Sequence, residues 1–330
     1  MATSTFSKVD EYGFERSENF DYKSYENFIS RYIRVLAKRA KRWGDLKPTD
    51  KYKRSDTLKR FIRKGVPSSE REAVWMAVSG ADKLRKDSGI RYNLLKKQVE
   101  NVTIIETIKI DIPRTFPDNI YFSNDDILPK QLFNILVAFA HYNKEVGYCQ
   151  GLNYIAGLLL LVTKSEESSF WLLTTLVEAI LPKYYAKTMS GLLIDLNVLD
   201  EIVQKNEPQI YKHVKNIGMP WAVASTKWFV CLYAEVLPTE TVLRIWDCIF
   251  YEGSKVIFRV ALALIRIHKR QILETKDLGE LVTCFREMGT SFDVINCHHF
   301  ISEIFKQPNF FSNRFLEKLR RKHSVQLDAA

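Results

Sequence analysis

Glycine and proline are scarce in this chain of 330 residues, at 13 and 10 residues respectively. Folds assembled from many tight turns need more of both, so the shortage argues for helices. Hairpin dipeptides such as Asn-Gly are absent, and apolar–polar alternation never persists. Long apolar runs are missing too: the longest that matters, Ile155 to Val162, is interrupted by Gly157. A bilayer span needs about 20 apolar residues, so no transmembrane helix is expected. Met1 to Glu18 contain no apolar core of a secretory signal. The cysteines, Cys149, Cys231, Cys248, Cys284 and Cys297, are five in number and sit mostly among apolar residues. They read as reduced, buried thiols of a cytoplasmic protein.

Several catalytic signatures are also lacking. No two glycines have the G-x-G spacing of a dinucleotide fingerprint. Gly-Lys-Ser/Thr is absent, so the chain is not expected to be a P-loop nucleotide hydrolase. Neither His-Glu-x-x-His nor Cys-x-x-Cys occurs. Cys284, Cys297, His298 and His299 are a poor zinc set, because adjacent Cys-His-His rarely brings three ligands to one ion. No metal and no cofactor of its own is expected. Gly147-Tyr148-Cys149-Gln150-Gly151 has the G-x-C-x-G spacing of a cysteine nucleophile elbow. That elbow needs a strand before it, whereas Leu132 to Tyr142 read as helix, so hydrolase chemistry is not expected.

What is present is an ordinary soluble composition, 46% hydrophobic and 27% charged, which excludes wholesale disorder. The net charge of +10 is unevenly placed. Residues 31–64 hold 14 Lys or Arg against Asp45, Asp50 and Asp56, a net of +11. Such a segment can be a solvated face, or it can meet anionic membrane or an acidic partner. No nucleic-acid partner is expected. Phe28, Tyr32, Val35, Leu36 and Trp43 fall near one helical face of it, with Arg31, Arg34, Lys38, Lys41 and Arg42 on much of the remainder. This is a basic amphipathic helix, able to lie on a membrane surface or to pack on the neighbouring domain.

Helical patterns fill the rest. Ser69 and Glu72 form a capping-box pattern after Pro67, which predicts a helix start near Glu70. Leu128, Leu132, Ile135, Leu136 and Phe139 make a 3.6-period stripe, and residues 151–162 are apolar nearly all round. Phe170 to Ile180 carry another stripe, stopped before Pro182. Further helices are predicted near 192–206, 222–235, 240–251, 255–272, 278–289, 296–306 and 312–321, with Gly253 as a C-terminal cap. The expected fold is all-α and multi-helical. Lys47 to Arg54 are rich in turn residues and read as a linker. The expected division is a basic N-terminal helical segment, 1–54, and a domain over 55–330.

Three motifs stand in order: Arg63-Lys64-Gly65-Val66-Pro67 through Arg71 to Val74-Trp75; Ile108-Lys109-Ile110-Asp111-Ile112-Pro113-Arg114-Thr115-Phe116-Pro117; and Tyr148-Cys149-Gln150-Gly151-Leu152-Asn153. Together they resemble the TBC domain, the helical domain of Rab GTPase-activating proteins. A fourth stretch, Trp228-Phe229 through Leu237-Pro238 to Arg244-Ile245-Trp246-Asp247, is similar to that family as well. The motif-bearing core runs over 63–265. Asp10 to Arg16 and Phe250 to Leu262 mark a closer likeness to one subgroup of the family.

The resemblance implies a GTPase activator of vesicle trafficking whose partner is a GTP-bound Rab-family GTPase. GTP and Mg²⁺ would belong to that partner. It also implies that Arg114 and Gln150 are catalytic fingers, supplied in trans. An arginine would meet the charge that develops on the transferring phosphoryl group. Pro113 and Pro117 keep Arg114 out of a regular helix, in an irregular segment spanning Ile110 to Pro117. Asp111, three residues earlier, is placed to hold the guanidinium. Gln150 opens the buried helix, where its amide can orient the attacking water. Tyr148, Gly151 and Asn153 flank it in the same motif. Arg71 and Trp75, four apart on one helix, read as cation–π or packing partners that build the domain, and Cys149 as a small buried filler. Taken by themselves, without the resemblance, Asp111 and Arg114 read as a local surface ion pair, and Gln150 as a helix-start residue. Two further readings stay open: a TBC-like scaffold that grips a Rab without accelerating it, and peripheral contact of a cytoplasmic protein with intracellular membranes through residues 31–64.

Overall fold

Caps set where the helices begin. Asp21, Ser55, Asn101, Ser165 and Asp277 each accept a backbone N–H from the first turn that follows. The structure, a computed structural model, describes residues 7–16, 18, 20–97, 101–123, 127–306 and 311–328. No extended strand forms among the described residues. The β pairing there consists of two isolated bridges, Val9–Glu15 and Phe14–Asn119. The all-α expectation is borne out, in two compact units, 1–179 and 180–330.

In the first unit, the longer helices are α1 (Tyr22–Gly44), α2 (Asp56–Lys64), α3 (Arg71–Ser79), α4 (Ala81–Ser88), α5 (Val102–Asp111), α6 (Ile127–Tyr142), α7 (Leu152–Thr163) and α8 (Glu166–Thr175). α7 is the hub, with α3, α6 and α8 packed around it. Only Tyr154 and Val162 of α7 reach even partial exposure, as its all-round apolar sequence predicts. The α6 stripe is buried through Leu132, Ile135, Leu136 and Phe139.

The basic helix α1 keeps Arg31, Arg34, Lys38, Lys41 and Arg42 exposed. Its inner face differs in detail from the predicted stripe: Leu36 is exposed while Arg39 is buried. Arg39 shares a face with Tyr32 and Trp43 at helical spacing, and its Nη1 donates to the Tyr32 hydroxyl at 3.2 Å. Trp43 is buried and donates its indole N–H to the Gly65 carbonyl at 3.1 Å. The stretch read as a linker is in fact docked. Pro48–Tyr52 form a short helix, Lys51 pairs with Glu70 at 2.7 Å, and Arg54 donates to the Val78 carbonyl at 2.7 Å. Polar side chains rich enough to suggest a linker here serve as anchors.

The capping box does not form. A single 3₁₀ turn, Ser68–Glu70, leads into α3, and the Glu72 carboxylate instead accepts the Ser168 hydroxyl at 2.6 Å. α8 runs directly into a π-helical turn, Leu176–Ile180.

The second unit contains α9 (Ser190–Asn206), α10 (Pro208–Ile217), α11 (Trp221–Val230), α12 (Thr239–Glu252), α13 (Lys255–Ile267), α14 (Leu278–Glu287), α15 (Cys297–Lys306) and α16 (Asn313–Asp328). α16 lies along α9, where Arg320 donates from both Nε and Nη2 to the buried Asp195 carboxylate at 2.6 Å. Gly253 caps α12 at φ 83°, as predicted. α11 ends five residues before its predicted limit, because Leu232 and Tyr233 take left-handed φ of 47° and 67°. α10 was not predicted. The fourth sequence stretch is core here: Trp228, Phe229, Arg244, Trp246 and Asp247 are all buried.

Candidate functional site

The second and third motifs come together at the N-terminal end of α7, within the first unit. Asp111 is the last residue of α5 and is 1% exposed. The irregular segment therefore begins at Ile112, two residues later than predicted. Ile112–Arg114 form a 3₁₀ turn with Pro113 inside it, and Thr115 returns to extended backbone. This places Arg114 one turn beyond Asp111. Its Nη2 pairs with Asp111 Oδ1, while 49% of the Arg114 side chain stays accessible. The carboxylate thus holds the guanidinium itself, by one terminal nitrogen, and half of the side chain remains accessible.

The other carboxylate oxygen, Oδ2, accepts the Tyr148 hydroxyl at 2.5 Å. Burial first, and then this bond to the Asp111 carboxylate, push the Tyr148 phenol well above its ordinary value. Tyr148 therefore remains a donor at all physiological pH. Burial and the charge of Asp111 also raise the Cys149 thiol, which makes it a weak nucleophile. The residues before it are helix α6 and a turn, not the strand a nucleophile elbow requires. Cys149 is half-buried, so it fills space less completely than predicted.

Gln150 is exposed on the turn that opens α7. Its amide makes no hydrogen bond among the described residues. Its backbone is fixed by Gly151, whose φ of 108° and ψ of −32° suit glycine alone. The Gly151 N–H donates to Asn153 Oδ1 at 3.0 Å. Asn153 is fully buried, and its Nδ2 donates to Thr115 Oγ1 at 2.8 Å. Thr115 in turn donates to the Asp111 carbonyl at 2.8 Å. Two tethers thus join the loops. Tyr148–Asp111 lies before the pair Gln150 and Arg114, and Asn153–Thr115 lies after it on at least one side of each.

The arginine loop also rests on α7 directly. A Cβ on Gly157 would meet the Phe116 ring at 3.1 Å and the Thr115 methyl at 3.3 Å. Phe116 itself holds φ at 53°, which costs a non-glycine residue about 1–2 kcal/mol. Its ring is enclosed by Phe14, Phe122 and Tyr154 at centroid distances of 5.0, 5.8 and 5.5 Å. Tyr154 also donates its hydroxyl to the Arg114 carbonyl at 3.3 Å.

Among the remaining predicted residues, Trp75 is fully buried in α3, and Arg71 is buried with its Nη1 donating to the Tyr12 hydroxyl at 2.6 Å. The Tyr12 contact lies outside what helix spacing can show. Thr115, Phe116 and Tyr154 went unread as positioning residues. Thr115 and Phe116 were visible as motif letters, but a hydroxyl bridge and a left-handed φ leave no local pattern.

Comparison with known proteins gives the family. The Rab-GTPase-TBC domain matches residues 68–273, and the chain belongs to that family. The subgroup likeness is to growth hormone-regulated TBC proteins. The chain is 45% identical over 318 residues to growth hormone-regulated TBC protein 1-A of Danio rerio, covering 95% of this chain and 89% of that one. It is 43% identical over 322 residues to the Homo sapiens growth hormone-regulated TBC protein 1, covering 97% and 96%. The crystal structure of the Chlamydomonas flagellar RabGAP TBC domain superposes with a TM-score of 0.79 at 33% identity, covering 91% of this chain and all of that one. No helix among the described residues is long and apolar enough to cross a membrane.

Proposed function

We propose that this chain is a GTPase-activating protein for Rab-family small GTPases, supplying Arg114 as an arginine finger and Gln150 as a glutamine finger. The observation that carries the reading is the pairing of two accessible side chains on loops joined by buried tethers. Membership of the Rab-GTPase-TBC family supports it. Hydrolysis of GTP builds charge on the phosphoryl oxygens, and a guanidinium brought from outside stabilises that charge by about 10³–10⁵ in rate. Asp111 holds the guanidinium by Nη2 and restricts where it can point, while half of the side chain stays open to a partner. The Gln150 amide, with a donor and an acceptor and no partner of its own, orients the water. GTP and Mg²⁺ are the partner's in this reading, and the chain takes part as an activator with no nucleotide of its own.

The exposed cations of α1 favour one addition. Arg31, Arg34, Lys38, Lys41 and Arg42 fall within a single arc of the helix, suited to a peripheral anionic membrane of the cytoplasmic side. This contact would hold the activator where lipid-anchored GTPases reside.

Phosphate release measured over a complete panel of GTP-loaded Rabs tests the reading. The intact chain is expected to accelerate at least one. Stable binding to a Rab without acceleration of any would replace it with the scaffold reading.

A further inference from the structure

The residues before α1 form a small loop with a defined job. Asp10 accepts the backbone N–H groups of Tyr12 and Phe14 at 2.8 and 2.9 Å, which closes the turn. Gly13 takes φ 92° at its tip, where a Cβ would meet the Tyr121 ring at 2.5 Å. This tip is pressed against the segment that follows Arg114. The Ile120 N–H donates to the Gly13 carbonyl at 2.9 Å, and the Glu15 N–H to the Asp118 carbonyl at 2.8 Å. Asn119 is fully buried and donates its side-chain amide to the Tyr12 carbonyl at 2.9 Å. The same Asn119 gives its backbone N–H to the Phe116 carbonyl at 3.0 Å. Phe14 then packs edge-on against Phe116, two residues from Arg114. On its other side the loop is anchored to α3, because Arg71 donates to the Tyr12 hydroxyl.

We infer that the loop of residues 8–16 is a clamp that positions Arg114, by holding Phe116 in its left-handed conformation. The inference rests on the finger reading above. Phe116 needs an enclosure to keep an unfavourable φ. α7 supplies one wall through Tyr154 and the space at Gly157, and the N-terminal loop supplies the facing wall through Phe14. Removing that wall frees residues 115–117, and with them the direction of the guanidinium. Tyr12 and Phe14 are positioning residues: neither has to touch the GTPase. Arg71 gains a role in the same chain of contacts, since it fixes the hydroxyl of Tyr12.

The test uses the full chain with Phe14→Ala, Phe14→Leu and Tyr12→Phe. Single-turnover GTP hydrolysis is followed on a Rab that the intact chain accelerates. Phe14→Ala is expected to lower kcat by about 10- to 100-fold, the scale for a displaced catalytic group, with KM changed less than about twofold. Phe14→Leu, which keeps an apolar body against Phe116, should recover most of that loss. Tyr12→Phe should fall between Phe14→Leu and Phe14→Ala. In the chain alone, backbone hydrogen exchange at Thr115, Asn119 and Ile120 should quicken in Phe14→Ala, while exchange in α7 stays as in the parent. Unchanged exchange at those amides overturns the clamp, whether or not any GTPase is activated. Faster exchange with an unchanged kcat overturns it as well. A parent chain that accelerates no Rab defeats the finger reading separately, and the exchange arm still decides the clamp.

Discussion

Arg114 and Gln150 sit on neighbouring loops, yet they are held in different ways. The arginine has a buried carboxylate on its guanidinium, a 3₁₀ turn in its backbone and a boxed phenylalanine two residues on. The glutamine has backbone support only: a glycine at φ 108° and an asparagine that accepts the Gly151 N–H. A long cationic side chain has many rotamers to lose, so directing it takes a counter-charge. A glutamine one residue from a rigid turn can be placed by backbone alone, its amide left for the partner.

Removing the fingers should separate these roles most strongly. Arg114→Ala is expected to cut the rate acceleration by about 10²–10⁵, and Arg114→Lys to fail badly as well, since an ammonium lacks the planar fork. Gln150→Ala should cost a comparable factor in single-turnover assays. On the proposed reading both groups act on one transition state, so the double variant should lose far less than the product. Thermal melting distinguishes the two loops. Arg114→Ala leaves the buried Asp111 carboxylate without its cation and should destabilise by about 1–3 kcal/mol. Gln150→Ala should leave the melting temperature nearly unchanged. Equal melting shifts for the two variants would dissolve the contrast, and parental rates in both would remove the dual-finger assignment.

A smaller effect is expected where the two loops share support. Asn153→Ala deletes both bonds made by that side chain, leaving Thr115 and the Gly151 N–H buried. Stability should fall by about 1–3 kcal/mol, and the rate by about 10- to 100-fold through misplacement of both fingers. Denaturant unfolding and single-turnover kinetics read the two losses. Tyr148→Phe should be mildest, since it removes one hydroxyl bond from Asp111 and keeps the ring: about 0.5–1.5 kcal/mol and under about tenfold in rate. A Tyr148→Phe loss as large as that of Asn153→Ala would mean that the arginine side carries the joint, not the asparagine.

The helices were legible where one face is strongly apolar over several turns, as in Leu132 to Phe139, and where burial is complete, as in α7. α10 is short, but its signals are local ones that a closer reading finds: Ile210, Val214 and Ile217 at i, i+4 and i+7, Pro208 in the first turn and Gly218 as the left-handed cap. The end of α11 escaped because Cys231, Leu232 and Tyr233 continue an apolar pattern that left-handed backbone breaks. At the site, Arg114, Gln150, Asp111 and Asn153 could be named from motif letters. Their joining could not. The bonds from Asn153 to Thr115 and from Tyr148 to Asp111 cross 38 and 37 residues, and the one from Arg71 to Tyr12 crosses 59. Contacts that distant are set by tertiary packing and leave no trace in local spacing.

Trp43, donating to the Gly65 carbonyl from inside α1, sets a rule for how this helix can change over generations. Its inward side is a fixed part: Tyr32, Arg39 and Trp43 are buried, and Trp43 reaches the first motif at Gly65. Its outward side carries no such obligation, and cations there can be exchanged one by one for neutral or acidic residues at almost no cost in folding. One helix therefore offers a lineage two separate dials. The outward surface answers to whatever it meets, and the inward one answers to the fold.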